Sequence, residues 1–238
     1  MGMIKKVIFF SLFFQIMPVL ASTPASPVHF IPSFQATYST IWEKGISFKV
    51  EGKQTLTQQK PNLWHFEFSA DTLLASLSES VTFRATKNAI RPLNYHYKSR
   101  LLNKKREAKL TFDWNNMKVL NDVESKPWKM DITNKTIDRL GLQLQVRYDL
   151  IHGKETLKYD VADGGKIKHY TFKKGKTEQI KTKLGTLDVV KVIRTDNLTD
   201  KRQSYFWFAP EYDFLLVRME HHEKGESYIL DLEKVIEL

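Results

Sequence analysis

The sequence predicts a mainly β fold, a curved antiparallel sheet or half-barrel that is covered by one helix. From residue 34 onward, apolar and polar residues alternate with a period of two, which is typical of antiparallel strands with one buried face. Residues 134–153 instead space their apolar side chains three and four apart, as an amphipathic helix does. Because this stretch lies between two sets of strands, we expect the helix to cross the face of the sheet.

The N-terminus predicts a secretory signal peptide over residues 1–21. Lys5 and Lys6 precede an apolar run that is too short to span a bilayer comfortably, and Val19 and Ala21 precede the expected cleavage site. The alternative is an uncleaved N-terminal anchor. The chain lacks cysteine, and with it a lipoprotein anchor site and disulfides. We therefore expect a periplasmic protein that is not a lipoprotein and has no stable membrane span.

The rest of the chain is expected to be a flexible leader, rich in proline and serine, over residues 22–33 and a single β-rich domain over residues 34–238. Removing residues 1–21 takes away two lysines and no acids, which lowers the formal charge from +10 to +8. Such a charge weakly attracts anionic lipid head groups, lipopolysaccharide or peptidoglycan, although solubility is the simpler interpretation. The sequence has no nucleic-acid-binding motif, so nucleic acid is not an expected partner.

The first set of strands is predicted from the alternating runs FQATYSTIW, ISFKVEG, LWHFEFSAD and EAKLTFDW. A turn over Glu43–Gly45 is expected to join the first two, and LLNKKR to join the strands that carry Tyr95 and Phe112. The basic residues of this second hairpin are Lys98, Arg100, Lys104, Lys105 and Arg106. We interpret them as a solvated hairpin tip and its flanks rather than a ligand-binding patch.

The helix is predicted near residues 136–151. Its apolar stripe comprises Ile137, Leu140, Leu144, Tyr148 and Ile151. Thr133 or Asn134 is available as its N-cap, and Gly153 as its terminator.

The second set of strands is expected over residues 156–238, and its strongest hairpin signal is ADGGK, residues 162–166. A further glycine lies between runs of alternating apolar and polar residues in each of KKGK, KLGT and EKGE. YFWFAPEYDFLLVRME, residues 205–220, predicts a hairpin whose strands are apolar on both faces. Such strands are covered on both sides, either by core alone or, on one side, by a cavity that holds a small ligand.

The candidate ligand-binding residues are aromatic: Trp64, Phe66, Phe68, Tyr95, Trp114 and Trp207. If the protein binds a ligand, Trp64, Phe66, Trp114 and Trp207 are expected to line one continuous cavity. Solid packing of these rings against each other and the helix is the alternative.

Catalytic and metal-binding motifs are not found in the sequence. It contains neither G-x-S-x-G nor H-E-x-x-H. His221 and His222 are adjacent, and successive residues of a strand point to opposite faces, so the pair cannot chelate one ion well. We therefore expect no catalytic residue, no metal and no cofactor.

Several spaced motifs of the chain resemble those of a known protein family. The N-terminal half contains ESVTFRATKNAIRPLNYHYKS and KREAKLTFDW. The C-terminal half contains ADGGKIKHYTF, TKLGTLDVVKVIR and YFWFAPEYDFLLVRME. Together they resemble the bacterial exported family called domain of unknown function 3108, over about residues 34–238. The resemblance implies a half-barrel similar to the periplasmic lipoprotein carriers, which shelter acyl chains in the concave face. The matching positions, which look like fold determinants rather than reactive groups, are Pro92, Tyr95, Phe112, Trp114, Gly165, Tyr170, Gly185, Trp207, Ala209 and Pro210.

The expected function is non-catalytic: binding or carriage of an apolar or acyl ligand in the cell envelope. The alternative is a module that docks another envelope protein or the cell wall. A third possibility, an enzyme acting on envelope polymers, requires a cleft with converging carboxylates, which the sequence does not indicate.

Overall fold

The computed structural model of the chain describes residues 30–44, 46–87, 89–199 and 201–237. The expected signal peptide (1–21), most of the expected leader (22–29) and Gly45 lie outside these residues. The longest helix within the described residues has eleven residues, which is too short to cross a membrane.

Within the described residues, the chain forms fifteen β-strands in one sheet and one α-helix, α1 (Gly141–Ile151). In chain order, strands β1 to β15 are Phe34–Lys44, Ile46–Lys60, Leu63–Asp71, Ala75–Ala85, Ile90–Leu101, Lys104–Asp113, Lys118–Val123, Lys126–Asp131, Thr136–Asp138, Leu157–Asp163, Lys166–Thr182, Gly185–Arg194, Arg202–Ala209, Leu215–Glu223 and Glu226–Glu237.

The sheet consists of two meanders that meet at the first and last strands. Strands β8 to β1 are neighbours in reverse order, β1 pairs with β15, and β15 to β9 follow. All pairs are antiparallel except β9 with β10, which α1 connects. The sheet does not close into a barrel, although the Trp128 indole of β8 donates a hydrogen bond to the Gly165 carbonyl in the β10–β11 turn (3.3 Å). The predicted half-barrel with one helix is confirmed.

The glycine turns are where the sequence places them, with one exception. Gly165, Gly185 and Gly225 adopt positive φ at the β10–β11, β11–β12 and β14–β15 connections. Gly175 of KKGK is not in a turn: it lies inside β11, where the register with β12 shifts between Lys174 and Thr177. This shift marks a β-bulge. An added Cβ at Gly175 would lie 3.0 Å from the Lys191 carbonyl of the neighbouring strand, and this close approach favours glycine.

The helix is shorter than predicted. Thr136–Asp138 forms β9 instead of the first helical turn, because it pairs with β10. The predicted caps Thr133 and Asn134 are therefore wrong; the Gly141 N–H donates to the Asp138 carboxyl instead (2.7 Å). Gly153 follows the helix with φ +67°, as predicted.

Hydrogen bonds fix α1 across the concave face of the sheet. Gln143 accepts from Gln54 of β2 (2.7 Å), and Gln145 accepts from the backbone N–H of Ile90 in β5 (2.7 Å). Arg147 donates to the carbonyls that follow β13, at 2.7 and 2.9 Å. The helix thereby joins both halves of the sheet.

The last residues of the expected leader are part of the core. Phe30 and Ile31 are buried, and the Phe30 ring stacks on Tyr148 of α1 and lies 5.2 Å from the Trp64 ring. The prediction of a flexible leader is therefore wrong for these residues, because two apolar side chains outweigh the proline-rich context.

Candidate functional site

A cavity of about 340 Å³ lies between α1 and the concave face of the sheet. Most of its lining is apolar: Phe68, Leu77, Leu140, Leu142, Val146, Phe172, Val192, Phe206, Phe208, Met219 and Leu230. The polar lining residues are Tyr38, Gln54, Glu79, Arg139, Gln143, Tyr170 and Arg194. A predominantly apolar wall with a few polar groups is typical of small-molecule sites.

The burial of its lining residues indicates that the cavity opens toward one end of the sheet, which we call the mouth end. The β3–β4, β5–β6 and β14–β15 turns form this end. Phe206, Met219 and Leu230 pair in a row across three strands and are half-buried. Phe208, farther along β13 from this end, is fully buried. At the opposite end, the Tyr148 hydroxyl of α1 donates to a carbonyl of the β4–β5 turn (2.6 Å), so the helix closes that side.

A glycine makes room for one wall of the cavity. Gly52 of β2 lies beside Phe68 of β3, and an added Cβ at Gly52 would overlap the Phe68 ring. The ring therefore rests on bare backbone, which is a use of glycine inside a strand. Any side chain at Gly52 moves Phe68.

One polar group at the cavity is a bidentate ion pair. Arg139 Nε and Nη2 each lie 2.9 Å from a carboxylate oxygen of Glu79, which is buried. The Tyr95 hydroxyl donates to the same carboxylate (2.6 Å), and the Arg139 guanidinium lies 4.8 Å from the centre of the Tyr97 ring. Burial, together with the Glu79 charge, raises the pKa of Tyr95 well above its usual range. Both carboxylate oxygens of Glu79 are thus held by donors.

A second arginine is held in the same way on the other half of the sheet. Arg194 makes bidentate contacts to Asp196 (2.8–3.1 Å), and its guanidinium lies 3.5 Å from the centre of the Tyr170 ring. The Tyr170 hydroxyl donates to Asp163 (3.0 Å). Burial raises the pKa of Tyr170 to about 12, and the Asp163 charge adds to the effect. Each arginine at the cavity therefore has a carboxylate partner, and among the described lining residues no cationic group is left free for an anion.

A buried carboxyl, Asp138, lies near the Arg139–Glu79 ion pair. Asp138 is fully buried, and its Oδ2 has no hydrogen-bond partner among the described residues. Burial raises the pKa of Asp138 to about 7; the Gly141 N–H opposes this shift and the Glu79 charge adds to it. Near neutral pH the group is therefore partly protonated.

Of the predicted ligand-binding residues, only Phe68 lines this cavity. Trp64 and Phe66 share its face of β3, but α1 and Phe30 cover them. Phe66 and Leu144 of α1 line the same narrow gap, and the Trp64 ring lies 5.2 Å from the Phe30 ring. Tyr95 lies behind Glu79 and supports it.

The two remaining tryptophans lie elsewhere. Trp114 stacks on Phe112 and donates to the Pro92 carbonyl (2.6 Å). Trp207 points to the opposite face of β13 from Phe206, beneath the Lys191 ammonium, which lies 4.8 Å from its ring centre. The expectation that Trp64, Phe66, Trp114 and Trp207 line one continuous cavity is wrong, because they occupy different faces and depths of the sheet.

The main aromatic wall of the cavity was not predicted from the sequence. Phe206 and Phe208 alternate with Trp207 in YFWF, so a period of two already separates them from Trp207. Arg139, inside the predicted helix, was also missed. Among the described residues, no three side chains of His, Cys, Asp or Glu are placed to hold a metal ion.

The chain matches a known protein family. A family model described as "Protein of unknown function (DUF3108)" matches residues 33–233. The chain belongs to the DUF3108 family. None of the curated proteins matches this DUF3108 chain significantly.

A solved structure shares the DUF3108 fold seen here. The crystal structure of a beta-barrel-like protein of domain of unknown function DUF1849 from Brucella abortus has a TM-score of 0.59, at 9% sequence identity. The match covers 88% of this chain and 99% of that chain. At this identity the similarity concerns the fold alone.

Proposed function

We propose that this DUF3108 protein is a non-catalytic binding or carrier protein for an apolar or acyl ligand in the bacterial periplasm. The apolar cavity of about 340 Å³ carries the proposal. As an empty core void, such a volume would cost about 8 kcal/mol at ~24 cal/mol per Å³, as much as the whole stability of many domains. An open binding site accounts for the volume better than a packing defect does.

The ligand class follows from the lining. A cavity of this size is at the lower end of small-molecule sites, roughly 300–1,000 Å³. Burying about ten methylene groups contributes about 8 kcal/mol, which corresponds to micromolar binding before the cost of ordering the chain. Because both arginines are already paired with carboxylates, we expect the acyl chain rather than a charged head group to dominate affinity.

Native mass spectrometry of protein purified from the periplasm, before and after organic extraction, tests the proposal. A bound lipid or fatty acid that leaves on extraction is the expected result. Leu230→Trp fills the cavity and should remove the bound mass. The matched control is Ile229→Trp, on the next residue of the same strand, where the side chain is 42% exposed. It should keep the ligand.

The proposal is contradicted if the wild-type protein has the mass of the ligand-free chain and this mass does not change after incubation with phospholipid or acylated peptide. That result would favour the alternative, a module that docks another envelope protein or the cell wall.

A further inference from the structure

Four leucines stand exposed at two adjacent turns of the mouth end. They are Leu73 (92% exposed), Leu74 (49%), Leu101 (45%) and Leu102 (60%), and we call them the leucine tip. The Leu102 N–H donates to the Leu74 carbonyl (2.8 Å), so the β3–β4 and β5–β6 turns form one surface. Turns normally carry Gly, Pro, Asn, Asp or Ser, so leucine at these positions requires another reason.

The backbone holds these leucines outward. Thr72 bridges its own turn: its N–H and its hydroxyl both donate to the Ala75 carbonyl, and its hydroxyl accepts from the Ala75 N–H, at 2.7–2.9 Å. Leu102 adopts φ +52°, a left-handed conformation that is rare for a large side chain. Strained backbone conformations of this kind cluster at functional sites.

Basic side chains flank the leucine tip. Lys104 and Lys105 begin β6 directly after it, and they form no ion pair among the described residues. Arg100 lies 3.7 Å from Asp71 and 3.5 Å from the Leu73 carbonyl. Exposed apolar groups ringed by lysine and arginine are the pattern of proteins that bind the surface of an anionic bilayer.

The cavity faces the same end of the sheet. Leu77, the third residue of β4 after the tip, lines it. Phe68, near the end of β3, lines it as well, whereas α1 closes the opposite end through Tyr148. A protein resting on its leucine tip would therefore turn the mouth of the cavity toward the surface beneath it.

We infer that the leucine tip and its basic flank dock the protein on an anionic lipid bilayer. The leucines enter the interfacial region, and Lys104, Lys105 and the neighbouring arginines contact acidic head groups. This inference goes beyond the interpretation of the basic hairpin as a solvated tip, because four exposed leucines accompany its charges. The docking goes beyond the proposed ligand binding and does not require a loaded cavity.

Flotation of the purified protein with lipid vesicles tests the inference. The vesicles are phosphatidylcholine alone or an equimolar mixture with phosphatidylglycerol. Wild-type protein should float with the mixture, less with phosphatidylcholine, and less at high salt, because screening weakens the charge attraction. The double variant Leu73→Ser, Leu102→Ser should lower partitioning by at least roughly tenfold for each leucine.

The matched control is Ile236→Ser, at the opposite end of the sheet, where the side chain is also exposed (50%). It should float as wild type does. All these side chains are exposed, so circular dichroism should show unchanged folding. If wild-type protein does not float with the anionic vesicles, or if the double variant floats equally well, the inference is wrong. The inference is also wrong if the wild-type protein does not float but forms dimers in the absence of vesicles, and the double variant abolishes these dimers. That result would favour self-association.

The cavity variant separates the two proposals. Leu230→Trp should float as wild type does, even though it is expected to lose its ligand. If no ligand is found in any form but flotation depends on the leucine tip, docking stands and the carrier function fails.

Discussion

Replacing Asp138 by asparagine should stabilise the fold, and more so as pH rises. The carboxyl is fully buried, and its Oδ2 has no partner among the described residues. Its pKa rises from the ordinary 3.8 to about 7, chiefly through burial. The folded state therefore binds a proton that the unfolded state has lost, so the free energy of unfolding falls as pH rises between these two values.

The magnitude follows from the difference between the two pKa values. About three pKa units at ~1.4 kcal/mol each give a cost of at most about 4 kcal/mol near pH 8, about 2 kcal/mol near pH 5.5 and little below pH 4. Asparagine keeps the oxygen that accepts from Gly141 and removes the charge. The gain in stability of Asp138→Asn over wild type should therefore grow across this range.

Urea unfolding at several pH values from about 4 to 8 measures the effect. Asp71→Asn, at an exposed aspartate, is the control and should show no comparable trend. A stability difference between Asp138→Asn and wild type that is the same at every pH would refute the reasoning.

Two further changes test how the sheet is held. Gly165→Ala combines φ +77° with a Cβ that overlaps the Trp128 ring, whereas Gly164→Ala has φ +59° and a Cβ that meets only the Lys168 Nζ, at 3.9 Å. Left-handed strain should lower the free energy of unfolding of both variants by about 1–2 kcal/mol, and with it the melting temperature, and Gly165→Ala should lose distinctly more. Equal losses would show that the Trp128 contact is unimportant. Arg139→Met leaves the Glu79 charge buried without its partner and should cost roughly 3 kcal/mol in urea unfolding. The double variant with Glu79→Gln should recover part of that loss, and no recovery would contradict the ion-pair explanation.

The strands could be predicted because their signal is local. Alternation in LWHFEFSAD correctly places Trp64, Phe66 and Phe68 on one face. It does not say how far along that face the helix extends, and this decides that only Phe68 reaches the cavity. Depth along a strand depends on tertiary packing, which the period of two does not encode.

The aromatic hairpin shows the second limit. In YFWF both faces are apolar, so the sequence does not indicate which face is concave. Trp207 is the largest ring, yet Phe206 and Phe208 face the cavity, while Trp207 is covered on the other side by Lys191 and donates to Glu178. Ring size was a poor guide because a lysine stem and a carboxylate can cover a tryptophan as well as a core can.

The β1–β15 pairing also has a consequence for biogenesis. Phe34 of the first strand pairs with Glu237 of the last, so β1 is synthesised before the other strands and gains its second neighbour last. During synthesis the first meander can form from local hairpins, but the free edge of β1 stays open to wrong partners until the whole chain is released. A chain that stops before β15 would keep that open edge permanently, so truncation at the C-terminus should lead to aggregation rather than to a smaller working protein.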